Sequence, residues 1–231
     1  MRFGIDATGW LNRRGYGRFT RNAVRRLVEA DREAEYVLLV DTETARKAAL
    51  PTGTEVRVVA ASVPPAEAAA EGSQRGVLDV VRFVRASRQS RLDALLFPSL
   101  QTWFPALGTP TVVGVHDTIA DDLPELAFPG RRDRARWRLK QRLAIGGAQK
   151  LFAVSEASRA AVAARLGVPA ESISVVPEAP DPVFSPRLPE HVERVVRRLA
   201  TDAGVGEDVD RDRQRGVEVA RQRRRDRKSV V

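Results

Sequence analysis

Seven short apolar runs, separated by helix-length amphipathic stretches, constrain this chain more than any other feature. They are Arg2–Asp6, Tyr36–Asp41, Glu55–Ala61, Ala94–Pro98, Thr111–His116, Leu151–Ser155 and Ile173–Pro177. Most are rich in Val, Leu or Ile, as expected of parallel strands covered on both faces. Between them, Phe19–Ala30 sets Phe19, Ala23, Leu27 and Ala30 on one helical stripe, and Val77–Ser90 does the same with Val77, Val80, Val81 and Val84. Glu156–Leu166 predicts a helix with Ser155 as N-cap and Gly167 as its stop, two residues before Pro169. Strand and helix patterns in alternation predict an α/β fold. A Rossmann-like doubly wound parallel sheet over residues 1–186, with the first strand central, is expected.

Composition excludes several classes. Hydrophobic residues are 43% and charged residues 30% of the chain, a globular balance. The longest apolar runs are far too short to cross a bilayer. Met1 leads straight into the first strand, so no cleavable signal is expected and a cytoplasmic address is the default. There is no cysteine, which removes disulfides and thiolate metal sites.

The formal charge is +9, from 39 basic and 30 acidic residues, and it is unevenly spread. Val209–Val231 holds nine Lys/Arg against four Asp/Glu, a net +5. That tail interleaves Asp210, Asp212, Glu218 and Asp226 and has no aromatic residue to stack a base, so nucleic acid is a poor fit. Ala60–Gly72, rich in Ala, Pro and Glu, reads as a loop or frayed helix. Residues 187–207 read as a linker helix, with Val192, Val195, Val196 and Leu199 on one face. Residues 208–231 have almost nothing to bury and read as a disordered basic tail.

Ligands of an open α/β sheet bind beyond the carboxyl ends of its strands, where three segments stand out. Gly15-Tyr16-Gly17-Arg18 ends the loop between the first strand and the first helix, and its glycines permit close backbone approach near the helix's free N–H groups. The spacing is not a dinucleotide fingerprint, because the glycines lie well past the strand and Thr20 holds the third glycine position. His116 and Asp117 close a buried strand; His116 could donate a hydrogen bond to a sugar hydroxyl or a phosphate oxygen, or simply cap the next loop. Ser155 and Glu178 follow two later strands, and Ser155 has helix capping as its alternative role. The second histidine, His191, lies outside the α/β region, and neither a nucleophilic triad nor metal-ligand spacing is present.

In this order the segments resemble glycosyltransferase family 4, retaining enzymes of the GT-B fold. The resemblance rests on Gly15-Tyr16-Gly17-Arg18-Phe19, Val115-His116-Asp117 with Leu123-Pro124, and Phe152-Ala153-Val154-Ser155-Glu156-Ala157-Ser158-Arg159. Leu166-Gly167-Val168-Pro169 and Ile173-Ser174-Val175-Val176-Pro177-Glu178 with Asp181-Pro182-Val183-Phe184 complete it. It implies the N-terminal, acceptor-facing half of a GT-B enzyme, with a sugar acceptor and a nucleotide sugar as co-substrates and no metal or other cofactor. It implies His116 and Asp117 as catalytic residues and Gly15, Tyr16, Gly17, Arg18, Ser155 and Glu178 as substrate-binding ones. The family's second domain, with its basic pair and Glu-x7-Glu motif, has no counterpart after Glu207, so the chain alone is expected to be inactive. A frameshifted or truncated product and a genuine tail both fit the arginine-rich end. The alternative functions are a nucleic-acid-binding protein acting through the basic tail and a non-catalytic binding module.

Arg131–Ala148 reads as a basic helix with the stripes Arg134/Arg138/Arg142 and Arg132/Arg136/Lys140. Two readings compete here. One is peripheral contact with the inner face of a membrane; the other is a solvated face whose Ala135, Leu139 and Leu143 pack on the sheet.

Overall fold

The computed structural model describes residues 1–62 and 76–179, together with Arg194 and Arg198. The chain divides into two units, Met1–Glu178 and Ala179–Val231. The expected tail, most of the linker helix and most of the Ala60–Gly72 loop lie outside the described residues, as does Asp181–Phe184. Arg194 and Arg198, within the expected helix, are helical and exposed.

All seven expected strands form: β1 Arg2–Asp6, β2 Glu35–Asp41, β3 Glu55–Val59, β4 Ala94–Phe97, β5 Thr111–Gly114, β6 Lys150–Ala153 and β7 Ile173–Val175. The described helices, in chain order, are α1 Gly15–Ala30, α2 Thr42–Lys47, α3 Val77–Gln89, α4 Ile119–Asp122, α5 Pro124–Ala127, α6 Arg131–Gly146 and α7 Glu156–Leu166. One sheet runs β3-β2-β1-β4-β5-β6-β7, and every neighbouring pair is parallel. The order reverses between β1 and β4, the switch point where the loops after two neighbouring strands diverge.

Each face of the sheet has its own apolar cluster. Residues alternate across a strand, so Tyr36, Leu38 and Val40 of β2 join Ile5, Trp10 and Val24 on one side. Val37 and Leu39 join Phe83, Phe97, Trp137 and Val162 on the other. Helix α1 therefore covers one face, while α3, α6 and α7 cover the opposite one.

Three helices present a different face from the one their apolar periodicity predicts. In α1 the buried residues are Gly17, Phe19, Thr20 and Val24, while Leu27 and Ala30 are exposed. The helix starts four residues earlier than expected, and the preceding segment folds back on Gly17, which sets its rotation. In α3 the fully buried residues are Asp79, Phe83, Ala86 and Ser87; Val80 and Val84 of the expected stripe pack partly buried on the same core, while Val77 is 80% and Val81 57% exposed. Phe83 packs on Phe104 with centroids 5.4 Å apart, and Asp79 accepts from the Ser62 backbone N at 2.9 Å. One aromatic ring and one buried carboxylate turn the helix so that only two of the four valines reach the core. In α6, Trp137, Gln141 and Ala144 turn inward, leaving Leu139 59% and Leu143 53% exposed. There the anchor is buried Asp121, which accepts from Gln141 Nε2 at 2.7 Å and Trp137 Nε1 at 3.4 Å. The expected packing of Ala135, Leu139 and Leu143 on the sheet is thus overturned.

Candidate functional site

Because all strands are parallel, the segments after β1, β5, β6 and β7 leave one edge of the sheet. Asp6, at the end of β1, is buried, and its Oδ1 accepts from Thr8 Oγ1 at 2.7 Å and Thr8 N at 3.2 Å. Two tight turns follow, with Trp10 N donating to Ala7 O and Asn12 N to Gly9 O, each at 3.0 Å. Asn12 Oδ1 then accepts from Arg14 N at 2.8 Å, which leads the chain into α1. Gly15, Tyr16, Gly17 and Arg18 consequently form the first turn of α1 rather than the loop ahead of it.

The two glycines differ in kind. A Cβ on Gly15 would meet nothing within 4 Å. One on Gly17 would lie 2.1 Å from the Asn12 carbonyl oxygen. The close approach that Gly17 permits is to the chain's own backbone.

Tyr16 is half-buried against Gly9. Its hydroxyl oxygen is buried and meets no hydrogen-bond partner among the described residues. Burial pushes the phenol up to about 12, with Arg14 opposing and Asp6 reinforcing the shift. The group is therefore an uncharged hydroxyl at neutral pH. Arg18 is exposed on the same turn.

His116 lies two residues beyond β5, after Val115 N has made one more bond, to Phe152 O at 2.9 Å. Its Nε2 is 2.8 Å from the Pro98 carbonyl at the end of β4. A carbonyl only accepts, so Nε2 carries a proton, and a neutral ring keeps Nδ1 as an acceptor. The expected donor role toward a ligand thus belongs only to the doubly protonated ring. The neutral ring accepts instead. Gly114 lets this arrangement close, because a Cβ there would sit 2.4 Å from Phe152 Cζ and 2.5 Å from Pro98 O.

Phe19 joins the two segments. Its ring meets His116 edge-on, with centroids 4.9 Å apart at 81°, and stacks on Phe152 at 5.7 Å. The N-terminal turns of α1 and the end of β5 are thereby brought together. Asp117 is exposed, and its Oδ1 accepts from Ile119 N at 3.0 Å, holding the turn that begins α4. Ser155 caps α7, its Oγ accepting from Ser158 N at 3.0 Å, and Glu178 is exposed three residues past β7. Both lie along the same edge, one and two strands beyond His116.

Sequence reasoning placed Phe19 on a helical stripe and in the resemblance but gave it no role at the site, and assigned none to Asn12, Arg21, Pro98 or Gly114. Two signals were available: a glycine near the end of a strand marks close backbone approach, and Pro98 ends the strand at the switch point. Among the described residues no group of three or more His, Asp or Glu side chains is placed to hold a metal ion. No described helix is long and apolar enough to cross a membrane.

The model of Glycosyltransferase Family 4 matches residues 13–184, well over half of the chain. No curated protein matches the sequence. Among solved structures, the glycotransferase of kitacinnamycin aligns with 14% identity and a TM-score of 0.45, covering 81% of this chain and 53% of that one. The calicheamicin glycosyltransferase CalG4 aligns with 13% identity and a TM-score of 0.45, covering 81% of this chain and 55% of that one. The chain spans about half the length of these two structures.

Proposed function

The chain belongs to Glycosyltransferase Family 4, and we propose that it forms the acceptor-facing wall of a retaining, nucleotide-sugar-dependent hexosyltransferase of the GT-B fold. The observation that carries this reading is the contact of Phe19 with His116, which sets the first turns of α1 beside a histidine at the open edge of the sheet. In the proposed reaction an acceptor hydroxyl oxygen bonds to the anomeric carbon as the bond to the donor's phosphate oxygen breaks. The hydroxyl proton passes to that leaving phosphate on the same face, without a metal. His116 lines the sugar, with Asp117 at the mouth of the site. Tyr16 supports this wall with its hydroxyl buried, and Arg18 offers charge to a phosphate or carboxylate of the acceptor. Gly15, Gly17, Ser155 and Glu178 complete the wall.

Transfer requires both substrates held in register, and the donor's diphosphate must be neutralised as it leaves. We therefore expect the 231-residue chain to transfer no sugar alone, and to do so when a donor-binding family 4 half is fused to it or supplied in trans. Incubation with labelled nucleotide sugars and candidate acceptors tests this directly. Robust transfer by the chain alone would refute the half-enzyme reading.

The proposal extends to a peripheral contact with an anionic membrane on its cytoplasmic face. Leu139 and Leu143 stand exposed on α6, with exposed Arg132, Arg136, Arg138 and Arg142 on the same helix. Apolar residues among cations suit an interfacial helix. Sedimentation with phosphatidylglycerol vesicles should carry the protein down at low salt, and Leu139→Glu/Leu143→Glu should release it. Equal sedimentation of this double variant would exclude α6 as the contact.

A further inference from the structure

Arg21, on the second turn of α1, spends its guanidinium on main-chain carbonyls rather than on an acid. Its Nη1 donates to Trp10 O at 2.5 Å and to Asn12 O at 3.0 Å. Both carbonyls belong to the segment between β1 and α1. No carboxylate among the described residues forms an ion pair with Arg21. Burial lowers its pKa, and the neighbouring Arg25 and Arg18 lower it further. A half-buried cation beside two other cations is an unfavourable placement unless its hydrogen bonds offset the cost.

Three more contacts grip the same segment. The Arg25 guanidinium carbon lies 5.6 Å from the centroid of the Trp10 ring. Gly17 leaves room for the Asn12 carbonyl. The Asn12 side chain holds Arg14 N. Trp10 and Asn12 are themselves buried, so the segment is seated rather than draped. What Arg21 adds is a tie from inside the helix to two carbonyls two residues apart. Both bonds leave one nitrogen, Nη1, whose two N–H groups are fixed in the guanidinium plane, whereas a lysine ammonium is a compact and more strongly hydrated charge.

We propose that Arg21 is a positioning residue that clamps the segment Ala7–Arg14 and thereby holds the first turn of α1, with Tyr16, against the crevice containing His116. The clamp stands on the contacts alone; only its consequence for catalysis rests on the glycosyltransferase reading.

Amide hydrogen exchange on the full chain tests it, using Arg21→Ala and Arg21→Lys. The informative amides are those of Trp10, Asn12 and Arg14, each hydrogen-bonded within the segment. In Arg21→Ala they should exchange about tenfold faster or more, while amides of β5 and β6 keep their protection. Arg21→Lys should recover only part of the loss. Added methylguanidinium should restore protection in Arg21→Ala where methylammonium does not, a signature that general stabilisation of the helix would not give. Unchanged exchange at these amides, a loss spread evenly over the sheet, or equal rescue by both cations would each overturn the clamp. If Arg21→Ala does not fold, Arg21→Lys decides: normal protection at Trp10 and Asn12 would refute the proposal. In any assembly that transfers sugar, Arg21→Lys should also raise the acceptor KM more than it lowers kcat. If no such assembly is found, the exchange result still judges the clamp.

Discussion

Gly17→Val should unseat the segment ahead of α1 and be the most destabilising exchange in its first turn. An added Cβ would sit 2.1 Å from the Asn12 carbonyl oxygen, 2.8 Å from the carbonyl carbon and 2.9 Å from Asn12 Cβ. Backbone atoms do not swing aside as the tip of a long side chain can. The helix and the segment must therefore part, and Asn12 would lose its bond with Arg21. Overpacking of this kind costs about 1–3 kcal/mol for a single added group, and a branched side chain should reach the upper end or exceed it. At about 2–4 °C of melting temperature per kcal/mol, the shift is readily measured by thermal unfolding. Gly15→Ala supplies the contrast. With nothing within 4 Å of its Cβ position, it should be neutral or stabilise the helix by up to about 1 kcal/mol. Equal melting temperatures for Gly17→Val and the parent chain would show that Asn12 is not held as described.

The largest effect on activity should come from His116→Ala, assayed in a two-domain assembly that transfers sugar. Removal of the ring takes away the Nδ1 acceptor and leaves the Pro98 carbonyl without its donor, while Phe19 loses its edge-on neighbour. Turnover should fall by about one to three powers of ten, the usual range for loss of a group that stabilises a transition state. The cost to folding should be smaller, because His116 is only half-buried. Steady-state kcat beside a melting curve separates the two effects. An unaltered kcat would remove His116 from the catalytic site and leave the family membership untouched.

The strands were legible because their signal is local: runs such as Tyr36-Val37-Leu38-Leu39-Val40 admit little else in an α/β chain. Helix faces were less legible. Counting aliphatic residues in Val77–Ser90 pointed to Val77, Val80, Val81 and Val84, of which Val80 and Val84 reach the core, because Phe83 and the carboxylate of Asp79 determine which side turns inward. The anchor of α6 is likewise a polar cluster around Asp121, whose partners are 16 and 20 residues further along the chain. Such pairs leave no periodic trace. At the site, the sequence marked Gly17 and His116 as notable residues but not what they touch. Gly17 was expected to permit close backbone approach and, by the resemblance, to bind substrate; the backbone it admits is that of Asn12. The proton position on His116 depends on Pro98, a residue from a different strand.

The strand β2 is apolar on both sides, and this raises the question of what keeps it from sliding. A shift by one residue would exchange Val37 and Leu39 with Leu38 and Val40, side chains of nearly the same size and character, so the two cores discriminate weakly between alignments. A polar contact at one end adds to the discrimination. At the start, Glu35 takes an ion pair from Arg2 of β1 at 2.5 Å. At the finish, Asp41 accepts from Glu43 N at 2.9 Å, Thr44 N at 3.0 Å and Thr44 Oγ1 at 2.6 Å, bonds that start the next helix and travel with the strand. Only the pair at the start ties β2 to a neighbour. A deletion within Tyr36–Val40 would leave the strand as greasy as before yet part Glu35 or Asp41 from its place, so misfolded β2 pairings should be compact, well buried and wrong.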